Sequence, residues 1–316
     1  MTGVVTCGDI NGIGPEVAVK AINKLTGLSL VNYKLLIPRN VYEVVSDSTG
    51  IDLRKKQRVE IIDIGEYPLE VGKPTKESGS AAFSALEKAF KLVQSEPESF
   101  LVTAPISKYA FRLAGINFPG HTELLASWSA TRDFVMMFLS ENLKCGLATI
   151  HTPLNEVSKL LTSDSLKRTI ETILHSLKAD FGIGNPKIAV LGLNPHAGEN
   201  GLIGDEETKT IIPVLEQYSS RCFGPFPADA FFARKLYQQF NLFLAMYHDQ
   251  GLIPFKLMTA GSGVNFTAGL KIVRTSPDHG TAYDIAGEGK ADFSSMLEAI
   301  DWGYRIATNR RFFYAG

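Results

Sequence analysis

Short apolar runs that alternate with helix-like stretches constrain this chain more than any other feature of its sequence. Runs of strand length between turn residues predict buried parallel strands, and apolar residues three and four positions apart predict the helices between them. We therefore expect an α/β fold with a largely parallel central sheet. The strand-like runs are residues 3–7, 34–37, 59–64, 100–103, 134–139, 143–150, 187–193 and 242–247. The helix-like stretches are residues 15–25, 81–94, 156–178, 205–218 and 229–240.

Three histidines each follow one of these apolar runs. His151 and His248 come directly after a run, and His196 follows two residues later. The ligand crevice of an open α/β sheet lies at the carboxyl ends of its strands, so three imidazoles at one edge predict a metal site with positions left for substrate. Ligands on separate strands have no fixed local spacing, so each histidine alone also fits an ordinary loop residue. His175 lies in a helical stretch, where we expect a surface or packing role.

Bulk composition excludes several classes of protein. The chain has 316 residues, of which 45% are hydrophobic and 21% charged, with a formal net charge of −1. No basic block predicts a nucleic-acid surface, and no apolar stretch approaches the length of a membrane span. Because residues 1–3 run straight into a strand-like segment, we expect no signal peptide. Cys7, Cys145 and Cys222 have no CxxC spacing, which favours buried free thiols in a reducing compartment. We expect a cytoplasmic enzyme long enough for two domains.

A glycine-rich segment, GDINGIGPE at residues 8–16, follows the first predicted strand and leads into a helix. Turns of this kind often direct backbone amides at an anion, although a tight turn that needs flexible φ angles explains the glycines equally well. Pro15, Glu16 and Val17 stand where the dinucleotide fingerprint needs a third glycine. A nicotinamide cofactor would therefore bind without the usual Rossmann loop.

Two further groups of residues suit an anionic ligand. Thr122 is expected to cap a helix whose free amides, with His121, would seat a phosphate; a capped helix with a surface histidine is the alternative. Lys256, Asn265 and Arg274 are spaced nine residues apart, and two cations with an amide suit a phosphorylated or carboxylated ligand. A solvated basic face is the other interpretation of these three. The glycine-dense loop at residues 278–292 suggests a backbone surface approached by a flat ligand.

Seven segments of the chain, in order, resemble the 4-hydroxythreonine-4-phosphate dehydrogenases of pyridoxal phosphate biosynthesis, the PdxA family. They are GDINGIGPE (8–16), TAPISK (103–108), GHTE (120–123), HTPL (151–154), LNPHAGE (193–199), YHDQG (247–251) and DHGTA (278–282). The last also resembles the adenine-binding loop of isocitrate and isopropylmalate dehydrogenases. The resemblance implies an isocitrate/isopropylmalate dehydrogenase-like fold, with helices on both faces of the sheet and two subdomains around a cleft.

Domain boundaries are expected in turns near Gly120 and Pro254. They give one discontinuous subdomain, residues 1–120 with 255–316, and a second at residues 121–254. The resemblance implies that the first binds the cofactor and that the second binds the metal and forms the dimer interface.

The resemblance assigns roles to individual residues. It implies one divalent metal ion (zinc, cobalt or magnesium) on His151, His196 and His248, with the ligands drawn from both subunits of a homodimer. NAD or NADP would lie on the loop after Asp278, and Lys256 and Asp229 are candidates for the general base. The implied substrate contacts are His121, Thr122, Lys256, Asn265 and Arg274. The implied cofactor contacts are Gly280, Thr281, Ala282 and Asp284, the last of which hints at NAD.

The implied reaction is oxidation of 4-phosphooxy-L-threonine at C3, followed by decarboxylation to 3-amino-2-oxopropyl phosphate. Ile10-Asn11 stands where the family usually has Pro-Ala, and Thr152 replaces a more usual valine, which leaves the ligands intact and the substrate open. A paralogue that oxidises a tetronate 4-phosphate or a ring dihydrodiol is the alternative. A three-histidine metal hydrolase and a catalytically silent phospholigand-binding protein are more remote. We expect no nucleic-acid partner and no membrane.

Overall fold

The computed structural model describes residues 1–27, 31–118, 120–260 and 263–315, and its architecture confirms the predicted α/β class. The strands are β1 (Thr2–Thr6), β2 (Asn32–Ile37), β3 (Val59–Asp63), β4 (Ser99–Thr103), β5 (Val135–Leu139), β6 (Lys144–Leu147), β7 (Ile188–Leu191), β8 (Cys222–Phe226), β9 (Leu242–Ala245), β10 (Val264–Ala268) and β11 (Arg274–Pro277). The α-helices are α1 (Gly14–Leu25), α2 (Arg39–Thr49), α3 (Lys76–Ser95), α4 (Lys108–Leu113), α5 (His121–Trp128), α6 (Leu154–Leu160), α7 (Ser163–Ala179), α8 (Ile212–Glu216), α9 (Ala228–Ala233), α10 (His248–Thr259) and α11 (Ser294–Ala315).

The chain divides into two compact units, and the first is discontinuous. It comprises Met1–Ala130 and Leu270–Arg311, whereas the second comprises Thr131–Gly269 and the C-terminal residues from Phe312. These boundaries lie at other residues than the expected 120 and 254, because α5 belongs with the first unit and β10 pairs with β5 in the second. The roles assigned to the two subdomains stay predictions.

The first unit is built on parallel strands in the order β3-β2-β1-β4-β11. The glycine-rich segment after β1 is packed too tightly for side chains: a Cβ at Gly8 would lie 2.3 Å from the Pro105 carbonyl oxygen, and one at Gly14 would lie 2.3 Å from that of Cys7. Gly8 also has a φ of +68°, which favours glycine. The glycines therefore allow the close turn into α1. Pro15 lies within the first two residues of this helix, as expected.

The second unit carries strands in the order β10-β5-β6-β9-β7-β8. β6, β9, β7 and β8 run parallel, but β5 is antiparallel to both of its neighbours. The expectation of a largely parallel sheet is confirmed, with this antiparallel exception. Aromatic side chains contribute to a hydrophobic core of this unit, in which Phe231, Phe243 and Phe255 are almost fully buried. Each such side chain stabilises the fold by about 1.5–3 kcal/mol.

Three of the helix predictions need correction. The stretch 156–178 is two helices, because Thr162 caps α7 by accepting the Ser165 amide while Ser165 Oγ accepts the Thr162 amide. Asp205 caps no helix; its carboxylate pairs with Lys209, and a π-helical segment, Glu207–Ile211, precedes α8. Asp229 lies inside the first turn of α9, which begins after Pro227.

In the described parts of the chain, no helix is long and apolar enough to cross a membrane. The three cysteines are free and buried, as predicted. Burial raises the pKa of the Cys7 and Cys222 thiols to about 12, so neither is suited to act as a nucleophile.

Candidate functional site

Three parallel strands of the second unit end in the predicted histidines. β6, β9 and β7 are neighbours in that order, and His151, His248 and His196 follow their carboxyl ends. The Thr149 hydroxyl donates a 2.7 Å hydrogen bond to the Met246 carbonyl, which joins the ends of β6 and β9. The predicted strands therefore deliver all three histidines to the same edge.

His151 and His248 come together at this edge. Their ring centroids are 5.9 Å apart, with the ring planes at 41°, and both line a pocket of about 340 Å³. The Asp249 carboxylate, which can only accept, takes a 2.7 Å hydrogen bond from Nδ1 of His248. Nε2 of His248 is thereby left as the nitrogen with a lone pair for a ligand. The other residues that line the pocket are Ile150, Thr152, Leu154, Val157 and Tyr247.

His196 is not brought together with this pair. It is exposed, and it opens a left-handed turn with a φ of 53°. Within the described ranges, no three His, Cys, Asp or Glu side chains are grouped so that they could hold a metal ion. One chain thus brings two of the three predicted ligands together.

A buried cation in the first unit joins two of the residues predicted to contact substrate. Arg274, at the start of β11, is 3% exposed, and its Nε and Nη2 donate to Thr103 Oγ1 at 3.0 and 2.7 Å. Nη2 also lies 3.2 Å from Nδ1 of His121. Burial lowers the pKa of Arg274 to about 10, so the guanidinium keeps its charge at neutral pH. Thr122 is buried in the same helix as His121 and does not cap it, because the N-cap is Gly120.

His121 is held neutral by its surroundings. Burial, and then the positive charge of Arg274, lower its pKa well below 6.5. Neutral imidazole can accept the Arg274 hydrogen bond at Nδ1, and its proton then lies on Nε2 as a donor. The pair therefore offers a cation and a neutral donor, both of which suit an anionic group.

We expect His121 to make the stability of the protein fall in acid. Below about pH 6.5 the unfolded chain protonates this side chain and the folded chain does not, so the free energy of unfolding decreases, by up to about 1.4 kcal/mol per pH unit. His121→Gln should lose this part of the slope. Urea unfolding of both proteins at pH 7.5, 6 and 5 measures the difference, and parallel pH curves would contradict the neutral histidine.

The remaining predicted residues belong to the second unit. Asn265 lies on β10 opposite Phe138. Lys256 is exposed on α10, eight residues after His248, which corresponds to about 12 Å along a helix axis. Asp229 is exposed in the first turn of α9, a helix that lies against the turn containing His196. Lys256 and Asp229 stay the two predicted candidates for the general base.

The loop predicted to bind the cofactor is attached to the glycine-rich turn after β1. The Thr281 carbonyl accepts the Ile13 amide at 2.9 Å. Tyr283 donates its hydroxyl to Asp9 Oδ2 at 2.8 Å, and Asp9 also accepts from Ser78 Oγ and from the amide of residue 11. Asp9 is fully buried, and this burial raises the pKa of its carboxyl. Sequence reasoning gave no role to Asp9, Ser78 and Tyr283, of which Asp9 and Ser78 stand next to glycines.

Comparisons with known proteins agree with the resemblance. The model of the family "Pyridoxal phosphate biosynthetic protein PdxA" matches residues 16–303. A 4-hydroxythreonine-4-phosphate dehydrogenase of Bacteroides thetaiotaomicron is 39% identical over 97% of this chain and 89% of its own length. A D-threonate 4-phosphate dehydrogenase of Salmonella typhimurium is 38% identical over 97% of this chain and 99% of its own. The crystal structure of 4-hydroxythreonine-4-phosphate dehydrogenase from Klebsiella pneumoniae superposes with a TM-score of 0.83 at 33% identity, over 97% of this chain and 98% of that one.

The structure is thus an α/β protein with three histidines after parallel strands and a buried arginine beside a neutral histidine. The chain belongs to the PdxA family of pyridoxal phosphate biosynthetic proteins. The family predicted from the seven segments is confirmed.

Proposed function

We propose that this chain oxidises 4-phosphooxy-L-threonine at C3 with NAD(P)⁺ and releases 3-amino-2-oxopropyl phosphate after decarboxylation. The dehydrogenase prediction is confirmed by family membership and by relatives named 4-hydroxythreonine-4-phosphate dehydrogenase along nearly the whole chain. The observation that carries the substrate class is the buried Arg274 beside neutral His121. A charge kept from water in this way is suited to bind a phosphate group.

The donors at the strand edge fit a divalent metal ion. His151 and His248 would supply two imidazoles from one chain, and His196 of a second copy would supply the third, which makes the working unit a homodimer. Imidazole ligands favour zinc or cobalt over magnesium. The Asp249 carboxylate would fix the orientation of His248.

The loop after Asp278 fits a nicotinamide cofactor. A Cβ at Gly280 would meet open space, and Asp284 is exposed, so a flat ligand could approach the backbone there. NAD is favoured over NADP, because a carboxylate at Asp284 suits a ribose hydroxyl better than a phosphate.

His151, His248 and the His196 of a second copy would hold the metal ion, which would lower the pKa of the C3 hydroxyl and stabilise negative charge during decarboxylation, and the nicotinamide would accept the hydride. The chain's own side chains orient the substrate and move its proton. Arg274 and His121 would bind the phosphate, with Thr122, Lys256 and Asn265 as further contacts, so that binding at the unreactive end positions C3. Lys256 or Asp229 would accept the hydroxyl proton.

We place the enzyme in the cytoplasm.

One relative favours a second candidate substrate. The 38% identity to a D-threonate 4-phosphate dehydrogenase extends over 97% of the chain. Threonate 4-phosphate differs from 4-phosphooxythreonine by a hydroxyl in place of the amino group at C2, so both substrates present a phosphate at C4 and a hydroxyl at C3. The residues that contact C2 would decide between them.

The direct test measures NADH formation by purified protein with added Zn²⁺ or Co²⁺. We expect turnover of 4-phosphooxy-L-threonine, with D-threonate 4-phosphate as the competing substrate in a parallel assay. Preference for the threonate would move the proposal to the second candidate. No turnover of either substrate with metal present would contradict the dehydrogenase reaction.

We expect Tyr283→Phe to weaken cofactor binding, because Asp9 loses the hydroxyl that joins it to the cofactor loop. A lost hydrogen bond of about 1 kcal/mol corresponds to about a fivefold rise in the dissociation constant for NADH. Fluorescence titration with NADH measures it. Tyr304→Phe, at an exposed tyrosine of α11, is the control, and equal affinity of the two variants would contradict the role of Tyr283.

A further inference from the structure

The turn that contains His196 has an uncommon backbone. Five consecutive residues, 196–200, have φ between 43° and 78°, and four of them are not glycine. Left-handed conformations strain residues that carry a Cβ, and such residues usually adopt them singly. A run of this length persists only when its surroundings hold it in place.

The carboxylate of Glu207 fills the space beneath this turn. The side chain is 1% exposed. Its Oε1 accepts the backbone amides of Leu193 and Asn194, both at 2.7 Å, and its Oε2 accepts the Asn194 side-chain amide at 2.9 Å. The described hydrogen bonds to this buried carboxylate therefore come from the segment that leads into His196.

Two glycines make room for the carboxylate. A Cβ at Gly198 would lie 2.7 Å from Glu207 Oε2, and a Cβ at Gly192 would lie 3.2 Å from Oε1. The glycines border the turn on both sides of His196. Glu207 thus contacts the turn from within, at its entry and at its middle.

An amide connects the same segment to the other histidines. Gln250 Nε2 donates to the Gly192 carbonyl at 2.6 Å, and Gln250 Oε1 accepts the Met246 amide at 2.7 Å. Met246 lies two residues before His248 and receives the Thr149 hydroxyl from the His151 segment. The entry to the His196 turn is therefore fixed relative to the segments of both other histidines.

We propose that Glu207 is a positioning residue that holds the left-handed turn at residues 196–200 and so sets the direction in which His196 is presented. Its function in metal binding rests on the proposed role of His196 as a ligand. Glu207 touches neither substrate nor cofactor in this proposal and acts through the turn.

The experiment compares Glu207→Ala and Glu207→Gln with Glu206→Ala, a matched control. Glu206 is the neighbouring carboxylate, and its hydrogen bond in the described part of the chain comes from the Asn194 side chain, at 2.7 Å. Glutamine keeps one oxygen for the two backbone amides but places a donor opposite the donating Asn194 amide, so its effect should lie between wild type and alanine. Circular dichroism first establishes that each variant is folded, and Glu207→Gln serves if Glu207→Ala is not.

Hydrogen exchange by mass spectrometry, without metal, measures how well the backbone of the turn is held. We expect the amides of residues 193–201 to exchange at least about tenfold faster in Glu207→Ala than in wild type. Exchange in Glu207→Gln should lie between these two, and exchange in Glu206→Ala should equal that of wild type. Calorimetric titration with Zn²⁺ should show affinity lowered by about 10- to 100-fold in Glu207→Ala and unchanged in Glu206→Ala.

Wild-type exchange at residues 193–201 in Glu207→Ala would overturn the proposal. So would faster exchange with unchanged Zn²⁺ affinity, since His196 would then not depend on the turn. If the wild-type protein binds no Zn²⁺ and oxidises neither substrate, the proposed function fails, whereas exchange at residues 193–201 still decides whether Glu207 holds the turn.

Discussion

Arg274→Met should abolish tight binding of the phosphorylated substrate without unfolding the protein. Two charge-assisted hydrogen bonds to phosphate, each of about 1.5–3 kcal/mol, would be lost, which predicts a fall in kcat/KM on the order of 100-fold or more. The protein should stay folded, because the cost of leaving the Thr103 and His121 acceptors without their donor is opposed by the removal of a buried charge and its replacement with an apolar side chain of similar length. Loss of function in a protein that stays folded distinguishes a binding group from a structural one.

Kinetics and inhibition by inorganic phosphate check this result. Phosphate should compete with substrate in the wild-type enzyme and not in Arg274→Met. Lys271→Met removes an exposed cation three residues earlier and should leave both kcat/KM and inhibition unchanged. Arg274→Lys should recover little, since an ammonium cannot reproduce the fork that reaches Thr103. A stable Arg274→Met enzyme with wild-type KM would refute the phosphate site.

The parts of the fold that could be predicted are those with a periodic apolar signal. The runs that became β6, β9 and β7 are continuous and buried, so their histidines could be assigned to one edge. β8, β10 and β11 escaped prediction because they contain turn-forming or polar residues: β8 includes Gly224 and Pro225, and β11 opens with Arg274. The antiparallel direction of β5 has no local signal, since a buried strand has the same pattern in either direction.

The candidate site could be predicted only in part, because its residues depend on partners that are distant in sequence. Arg274 and His121 were expected to act together through the family resemblance, but Thr103, which orients the guanidinium, is 171 residues from Arg274. Tyr283 and Asp9 are 274 residues apart. Partners this distant in sequence leave no spacing pattern. The left-handed turn at 196–200 was hidden because alanine and glutamate, at residues 197 and 199, do not favour that conformation.

Two buried carboxylates, Asp9 and Glu207, hold backbone segments near the proposed sites in the same way. Asp9 and Glu207 are buried carboxylates whose described hydrogen bonds come from neutral donors. Acceptors of this kind fix backbone loops rather than neutralise charge. One supports the loop proposed for the cofactor, and the other supports the turn proposed for the metal. Rigid support by a second layer of side chains is what such sites need.

His151→Ala, His196→Ala and His248→Ala should each lose Zn²⁺ binding and more than about 100-fold of turnover, since removal of a ligand exceeds the effect of removing its support. Calorimetry and NADH formation measure the two losses. The informative result comes from co-expressing the variants in pairs. A mixed dimer contains one chain of each variant. In a symmetric dimer it keeps one intact site only if each site takes the two mutated ligands from different chains.

The His151 and His248 rings are 5.9 Å apart within one chain, so we expect them to be ligands of the same site. His196→Ala combined with either of the other variants should therefore recover about a quarter of the wild-type activity, because half of the randomly formed dimers are mixed and each has one of two sites intact. His151→Ala with His248→Ala should recover none, since every site would lack a ligand. Activity of His151→Ala with His248→Ala would show that the two rings serve different sites. Absence of activity in all three combinations would place the three ligands of each site in a single chain.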